Sequence, residues 1–204
     1  MKTFFLVDDH EMSLIGLTSI IEHNSQWKCI GTASSFSDAV SKFEKSETKP
    51  DVIIADINLN DKENEYIGID LIKLILQKNP NQKIIVCSMF KNPNLIKQVS
   101  ELGAKAYLSK NVSSEDIIKC MNDVYDGKNF ISPDLIQGYS VYLSAINSLT
   151  KKEKEVFEKI MQNKSTRDIA FDMNLTDKTV ENYYSRIYNK LGVISRSELM
   201  GKFK

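Results

Sequence analysis

The chain has 204 residues, 42% hydrophobic and 26% charged, which favours one large or two small globular domains. Its longest early apolar run, residues 4–7, stops at Asp8 and Asp9. A run this short is neither a signal peptide nor a membrane span, so a cytoplasmic location with no membrane contact is expected. The three cysteines are odd in number and widely spaced, which fits reduced core thiols far better than a disulfide framework or a zinc site.

Charge is divided unevenly along the chain, although the total is zero. Residues 1–146 contain 15 Lys+Arg and 19 Asp+Glu, a net charge of −4. Residues 147–204 contain 12 and 8, a net charge of +4. An acidic body with a basic C-terminal part is a first indication of a nucleic-acid partner.

Hydrophobic periodicity predicts strands alternating with helices over the first part of the chain. The predicted segments are strands at 3–7, 29–33, 52–55, 84–87 and 106–108, and helices at 12–22, 37–45, 69–78, 93–102 and 114–126. Five such βα units predict a parallel sheet covered on both faces. Because Gly127 follows the last helix, this domain is expected to span residues 1–127.

The rest of the chain carries only helical patterns. Residues 128–148 lose the βα alternation but are too apolar for a disordered tether, so they are expected to form a partly helical linker. Four helices are predicted after it, at 151–161, 167–171, 177–191 and 196–203. They define an all-α domain at residues 149–204.

Polar side chains follow four of the predicted strands. Asp8 and Asp9 follow the first strand, Asp56 the third, Ser88 the fourth, and Lys110 lies just beyond the fifth. Ligands of open parallel sheets bind at the carboxyl ends of the strands, and these residues converge there if the strand order is 2-1-3-4-5. Three neighbouring carboxylates repel one another, and a bound Mg²⁺ usually neutralises such a cluster. The lysine and the hydroxyl could then hold a transferred phosphoryl group.

Residues 1–127 resemble the receiver domain of bacterial response regulators, which has a flavodoxin-like α/β fold with a five-stranded parallel sheet of order 2-1-3-4-5. The resemblance implies that Asp56 accepts a phosphoryl group from a sensor histidine kinase. It also implies that Asp8, Asp9 and Asp56 hold Mg²⁺ together with the backbone carbonyl of Asn58.

The resemblance assigns the remaining polar residues to a conformational switch. Ser88 corresponds to the hydroxyl that turns toward the phosphoryl group, Tyr107 to its aromatic partner, and Lys110 to the family's lysine. Ser88 and Lys110 are 22 residues apart, and Tyr107 precedes Lys110 by three, as in the family.

One loop departs from the family pattern. The family usually has proline four residues and glycine eight residues after the acceptor aspartate, whereas here position 60 is Asn and the first glycine is Gly68. The inserted residues 60–65 carry three acids, which could slow anionic phosphodonors or alter partner contacts. The alternative interpretation is a solvated loop.

Residues 149–204 resemble the LuxR/NarL-type helix-turn-helix domain over their whole length. The matching segments read LTKKE at 149–153, DIA at 168–170, LTDKTVEN at 175–182, KLGV at 190–193 and RSE at 196–198. Thr176 is expected to cap the recognition helix. Tyr183 stands where the family often has His. This departure bears on one expected contact with the DNA backbone and not on the fold.

The resemblance places one face of the 177–191 helix against DNA. Asn182 and Glu181 are expected to read bases, since amides pair with adenine and carboxylates with cytosine. A surface charge merely tolerated near the duplex is the alternative for Glu181. The expected contact set is Lys164, Arg167, Thr176, Lys178, Thr179, Glu181, Asn182, Ser185, Arg186 and Lys190, of which Lys164, Arg167, Arg186 and Lys190 would bind phosphates.

Three functions fit these features, and the first is preferred. It is a DNA-binding transcription factor, not an enzyme, that is switched by phosphorylation of Asp56 and binds paired half-sites as a homodimer. The second is a phosphorylation-independent DNA-binding regulator whose first domain serves only for interaction or dimerisation. The third, a haloacid-dehalogenase-like phosphatase, needs a second aspartate at position 58, where the chain has Asn58.

Overall fold

A computed structural model describes residues 1–45, 49–59 and 66–203. Two compact units are present: Met1–Lys91 with Ile96–Leu135, and Asn92–Leu95 with Ile136–Lys204. The insertion at residues 60–65 noted in the sequence lies outside the described residues. None of the described helices is long and apolar enough to cross a bilayer.

Strands and helices alternate through the first 131 residues. In chain order they are β1 (Lys2–Val7), α1 (Glu11–Asn24), β2 (Trp27–Ala33), α2 (Phe36–Lys45), β3 (Val52–Ala55), α3 (Ile67–Lys78), β4 (Lys83–Ser88), α4 (Pro93–Leu102), β5 (Ala106–Ser109), α5 (Ser114–Tyr125) and β6 (Phe130–Ile131).

Over the described residues the strands form one parallel sheet in the order β2-β1-β3-β4-β5-β6. This confirms the predicted order of the first five strands. The sixth strand was not predicted. It pairs Phe130 with Ala106 and Ile131 with Tyr107, and two residues are too few to show an alternating pattern.

The central strands are buried on both faces, which explains why they read as continuous apolar runs. On one face, Phe4, Ile54 and Leu108 pack with Ile21 of α1 and Met121 of α5. The opposite strand residues, such as Ile53 and Ile84, are also buried. The observed pairing aligns Val7 with Ala55, Ala55 with Val86, and Ser88 with Ser109, so the residues that follow these strands come side by side.

Helix α3 begins in close contact with the backbone after β3. The N–H of Gly68 donates a hydrogen bond to the carbonyl oxygen of Ile57 at 3.0 Å. A Cβ on Gly68 would lie 2.2 Å from the carbonyl oxygen of Asp56 and 2.5 Å from Cα of Ile57. A glycine is therefore required here, although it comes twelve residues after Asp56 instead of eight.

The second unit is helical. Its elements are α6 (Pro133–Ser148), which begins just before it, α7 (Lys151–Met161), α8 (Thr166–Asp172), α9 (Asp177–Leu191) and α10 (Arg196–Phe203). Tyr142 and Ile146 of α6 lie in one hydrophobic core with Phe157 and Phe203. The ring of Tyr142 lies 6.1 Å from that of Phe157 and 5.9 Å from that of Phe203. Much of the segment predicted as a linker thus packs with the C-terminal helices.

Replacing Gly68 by alanine should destabilise the protein by about 3 kcal/mol, because the new methyl group overlaps backbone atoms that cannot move independently. Urea unfolding followed by circular dichroism measures the change. The matched control is Gly16→Ala in α1, where a Cβ would meet nothing within 4 Å. It should stabilise the helix by roughly 0.5–1 kcal/mol. Equal effects of the two substitutions would contradict the close approach.

Candidate functional site

Backbone hydrogen bonds hold the polar residues at one edge of the sheet. The N–H of Asp8 donates to the Ala33 carbonyl at 3.1 Å, and that of Asp56 donates to the Val7 carbonyl at 2.8 Å. The N–H of Lys110 donates to the Ser88 carbonyl at 2.9 Å. Parallel pairing therefore continues just past the strands and places these residues side by side.

Lys110 bridges two buried carboxylates. Its Nζ lies 2.6 Å from Oδ2 of Asp8 and 2.6 Å from Oδ2 of Asp56. Asp8 and Asp56 are only 3% and 5% exposed. Burial lowers the pKa of Lys110, but the hydrogen bonds to Asp56 and Asp8 and the negative charges of both carboxylates together raise that pKa above its ordinary value. Lys110 thus remains charged and offsets repulsion between the acids.

Asp9 and His10 complete the cluster on its outer side. Nδ1 of His10 lies 2.7 Å from Oδ1 of Asp9 and 3.4 Å from Oδ1 of Asp8. The backbone N–H of His10 donates to Oδ1 of Asp8 at 2.9 Å. A lone histidine on an exposed loop after an acid pair is usually solvated, so no role is expected for His10 from its position in the sequence. Its side chain is 70% exposed, yet its ring nitrogen lies within the cluster.

The donor set fits a hard divalent cation. Asp8 and Asp9 carry carboxylate oxygens that lie within 4.8 Å of each other and of a His10 ring nitrogen. Asn58 is held beside Asp56, because its N–H donates to Oδ1 of that residue at 3.1 Å. Three carboxylates and one ammonium leave a formal charge of −2, which one Mg²⁺ would balance.

Ser88 and Tyr107 both contact the backbone of Phe90. Oγ of Ser88 accepts a hydrogen bond from the Phe90 N–H at 3.3 Å. The hydroxyl of Tyr107 donates to the Phe90 carbonyl at 2.8 Å. Burial raises the pKa of Tyr107 above its ordinary value, so its hydroxyl stays protonated and can donate. Phe90 also packs edge-on against Tyr66, with ring centroids 5.4 Å apart. No local pattern marks Phe90 in the sequence.

The sequence features of helix α9 account for its two ends. The side chain of Thr176 accepts a hydrogen bond from the N–H of Thr179 at 3.2 Å, as expected of an N-cap. Gly192 follows the helix with φ of 63°, a left-handed conformation that favours glycine. Val180 and Ile187 are fully buried and fix which face of the helix is exposed.

The side chains predicted to face DNA lie on the exposed face of α9. The exposed members of this set are Lys178, Glu181, Asn182, Ser185, Arg186 and Lys190, while Thr179 is half-buried. Nζ of Lys178 lies 3.8 Å from Oε2 of Glu181. The guanidinium of Arg186 lies 6.0 Å from the ring centroid of Tyr183. The side chain of Asn182 is exposed and makes no hydrogen bond within the described residues, so its amide group is available to a ligand.

The predicted phosphate-binding residues differ in their existing partners. Lys164 pairs with Asp172 at 2.5 Å, and Lys190 pairs with Glu153 at 2.7 Å. Arg167 is exposed and forms no ion pair with any residue that the structure describes. Arg167 and Arg186 are therefore the cations most available to phosphate.

Lys190 has a structural role that its sequence position did not reveal. Glu153 is 3% exposed and forms a capping box with Thr150 at the start of α7. The hydrogen bond from Lys190 lowers the pKa of Glu153, and burial opposes this effect. Lys190 also lies 3.4 Å from the Ser148 carbonyl. The ion pair between Lys190 and Glu153 joins helix α9 to α7.

Both parts of the chain match known protein families. Residues 4–122 match the response regulator receiver domain, and residues 147–202 match the family of bacterial regulatory proteins of the luxR type. The chain therefore belongs to the two-component response regulators that carry a LuxR-type DNA-binding domain, a family of transcriptional regulators.

The similarity extends over whole relatives. The chain is 31% identical to the transcriptional regulatory protein DesR of Bacillus subtilis, covering 100% of this chain and 97% of DesR. It is 32% identical to YdfI of the same organism, with 97% and 93% covered. RcsB of Salmonella enterica serovar Typhimurium, solved bound to promoter rprA in the presence of a phosphomimetic, is 25% identical, with a TM-score of 0.69 and 100% and 98% covered.

Replacing Lys190 by methionine should destabilise the protein by about 2 kcal/mol at neutral pH, because it leaves the buried Glu153 carboxylate without its charged partner. The pair lowers the pKa of Glu153 from 4.5, so its contribution is complete above that pH and is lost as the pH falls through the lowered value. Chemical unfolding of both proteins at several pH values measures this difference.

The matched control is Lys178→Met, since Lys178 is 81% exposed on the same helix. That substitution should change stability by less than about 0.5 kcal/mol. A Lys190 variant as stable as this control would show that the pair does not hold α9 in place.

Proposed function

We propose that this response regulator is switched by transfer of a phosphoryl group from a histidine of a sensor kinase to Asp56. The observation that carries the proposal is the Lys110 ammonium bridging the buried carboxylates of Asp8 and Asp56. A carboxylate oxygen of Asp56 forms the new P–O bond as the P–N bond to the kinase imidazole breaks, and the leaving imidazole is protonated.

Repulsion between anions is the main obstacle to this reaction. Asp8, Asp9 and Asp56, with the Asn58 carbonyl, would hold Mg²⁺, and the ion when bound supplies positive charge to the phosphoryl oxygens. Lys110 is positioned to donate from the other side to an oxygen of the same group. Burial of the acids strengthens both effects, because charges interact more strongly where water is excluded.

The phosphoryl group would act on the switch through Phe90. Ser88 has one hydroxyl, which accepts from the Phe90 N–H before phosphorylation. Turning that hydroxyl toward a phosphoryl oxygen gives up this hydrogen bond and frees the segment between β4 and α4. Tyr107, which donates to the Phe90 carbonyl, would rearrange with it. A local change of charge thereby selects a second conformation.

The C-terminal helices would bind double-stranded DNA. Helix α9 enters the major groove, where Asn182 and Glu181 face base edges and Arg167 and Arg186 bind phosphates. Further contacts around these residues would come from Lys164, Thr176, Lys178, Thr179 and Ser185. Lys190 would bind a phosphate while it remains paired with Glu153. A homodimer would place two such helices on paired half-sites. RcsB, to which this chain is similar, was solved bound to promoter rprA, and this supports DNA binding by the C-terminal helices.

The phosphorylation-independent regulator is not adopted. A chain that had lost the switch would be expected to lack an acid, the hydroxyl or the lysine, and all are present in place. The phosphatase alternative lacks its second aspartate at Asn58, and the family consists of transcriptional regulators.

Replacing Asp56 by asparagine should abolish phosphorylation by a small-molecule phosphodonor with Mg²⁺ while preserving the fold, because the amide lacks the nucleophilic oxygen. Phosphate-affinity gel electrophoresis measures the modified fraction. Asp51→Asn is the matched control, since Asp51 binds Thr3 at the opposite end of the sheet. It should be phosphorylated normally, and persistent labelling of the Asp56 variant would contradict the assignment.

Asn182→Ala and Arg186→Ala should weaken DNA binding in different ways. Loss of Asn182 should cost roughly 1–3 kcal/mol on the cognate site and little on scrambled DNA, because a base contact discriminates only when its base is present. Loss of Arg186 should weaken binding to both duplexes alike. It should also reduce the slope of the logarithm of the binding constant against the logarithm of the salt concentration by about one unit. Fluorescence titrations at several salt concentrations measure both effects. Equal losses on both duplexes for the Asn182 variant would contradict base reading by this residue.

A further inference from the structure

An apolar cavity lies between α2 and α3, at the end of α3 away from Gly68. Its volume is about 260 Å³. The wall contains Val40 and Phe43 of α2, Ile53 of β3, and Leu74 and Ile75 of α3. Apart from Ile53, which is buried, these side chains are only half-buried, so they leave apolar surface facing the space.

The framework around the cavity is well anchored. Phe43 packs against Phe5 of the sheet with ring centroids 4.7 Å apart. Nε2 of the buried Gln82 donates a hydrogen bond to the Pro50 carbonyl at 3.1 Å, and both residues line the cavity. Across the rim, Lys78 pairs with Glu44 at 2.7 Å and joins α3 to α2. The apolar space is therefore formed by elements that are already fixed to one another.

One charge at the rim has no counterpart among residues 1–45, 49–59 and 66–203. Lys49 lines the cavity and is exposed, and it makes no hydrogen bond or ion pair within the described residues. The neighbouring Lys78 and Glu44 neutralise each other. The site therefore combines an apolar interior with one available positive charge at its mouth.

We propose that this cavity binds a small apolar molecule bearing one carboxylate, such as a medium-chain fatty acid. An apolar cavity of roughly 150 Å³ holds benzene, so this larger volume suits about ten non-hydrogen atoms. Octanoate has that size. Its chain lies against Phe43, Leu74 and Ile75, and its carboxylate lies beside Lys49. Neither the phosphorylation of Asp56 nor DNA binding is required for this binding.

The test is a titration of the isotope-labelled full-length protein with octanoate, 1-octanol and octylammonium, followed by NMR. Octanoate should give saturable shifts at Phe43, Ile53, Leu74 and Ile75. It should bind about fivefold more tightly than the uncharged alcohol, the gain expected of one exposed charge pair. Octylammonium should bind more weakly than the alcohol, because Lys49 repels it.

Two substitutions and one control variant distinguish the contribution of the charge from that of the apolar cavity. Lys49→Met should reduce octanoate binding to the level of octanol, whereas Lys73→Met, on an exposed and non-lining position of α3, should leave it unchanged. Leu74→Trp should fill the space and weaken binding of both ligands more than tenfold, with circular dichroism confirming the fold. Shifts that do not saturate, or that map elsewhere, overturn the site. Equal binding of octanoate and octanol overturns the proposed class of ligand.

Discussion

Convergence of negative charge at one edge of a parallel sheet is the constraint on which the rest of the structure depends. Parallel pairing brings the residues after β1 and β3 together, so Asp8 and Asp56 become buried neighbours. Such a pair is costly unless a cation is fixed between them. Lys110 meets that need, and the same three groups form the place where a phosphoryl group and Mg²⁺ would be held. The attraction between Lys110 and the two carboxylates therefore stabilises this part of the fold and also prepares the site for the proposed chemistry.

The two units solve the problem of buried charge in related ways. In the first, Lys110 neutralises carboxylates at the sheet edge and leaves room for a ligand. In the second, Lys190 neutralises Glu153 and joins α9 to α7. Both lysines lie near the ends of secondary-structure elements, where side chains can reach across to another element. The first arrangement favours a reactive site, and the second favours a fixed orientation of the recognition helix.

Sequence patterns predicted the elements well where one local signal decided them. Helices Pro93–Leu102, Lys151–Met161 and Asp177–Leu191 begin and end as predicted, since proline, capping threonines and Gly192 mark their limits. The order of the first five strands was expected from the resemblance to the receiver domain, and this order brings the polar residues at the strand ends together. Local signals do not encode contacts between distant segments, so the Phe90 hydrogen bonds, the Lys190 ion pair and β6 became visible only in the folded chain.

If phosphorylation of Asp56 controls DNA binding, it should change the affinity of the full chain for its own promoter region. Footprinting is done with and without a phosphodonor and Mg²⁺, on the natural protein and on Asp56→Asn. We expect stronger protection after phosphorylation of the natural protein and no response in the variant. Equal protection of the natural protein under both conditions, with Asp56 fully phosphorylated, would contradict it.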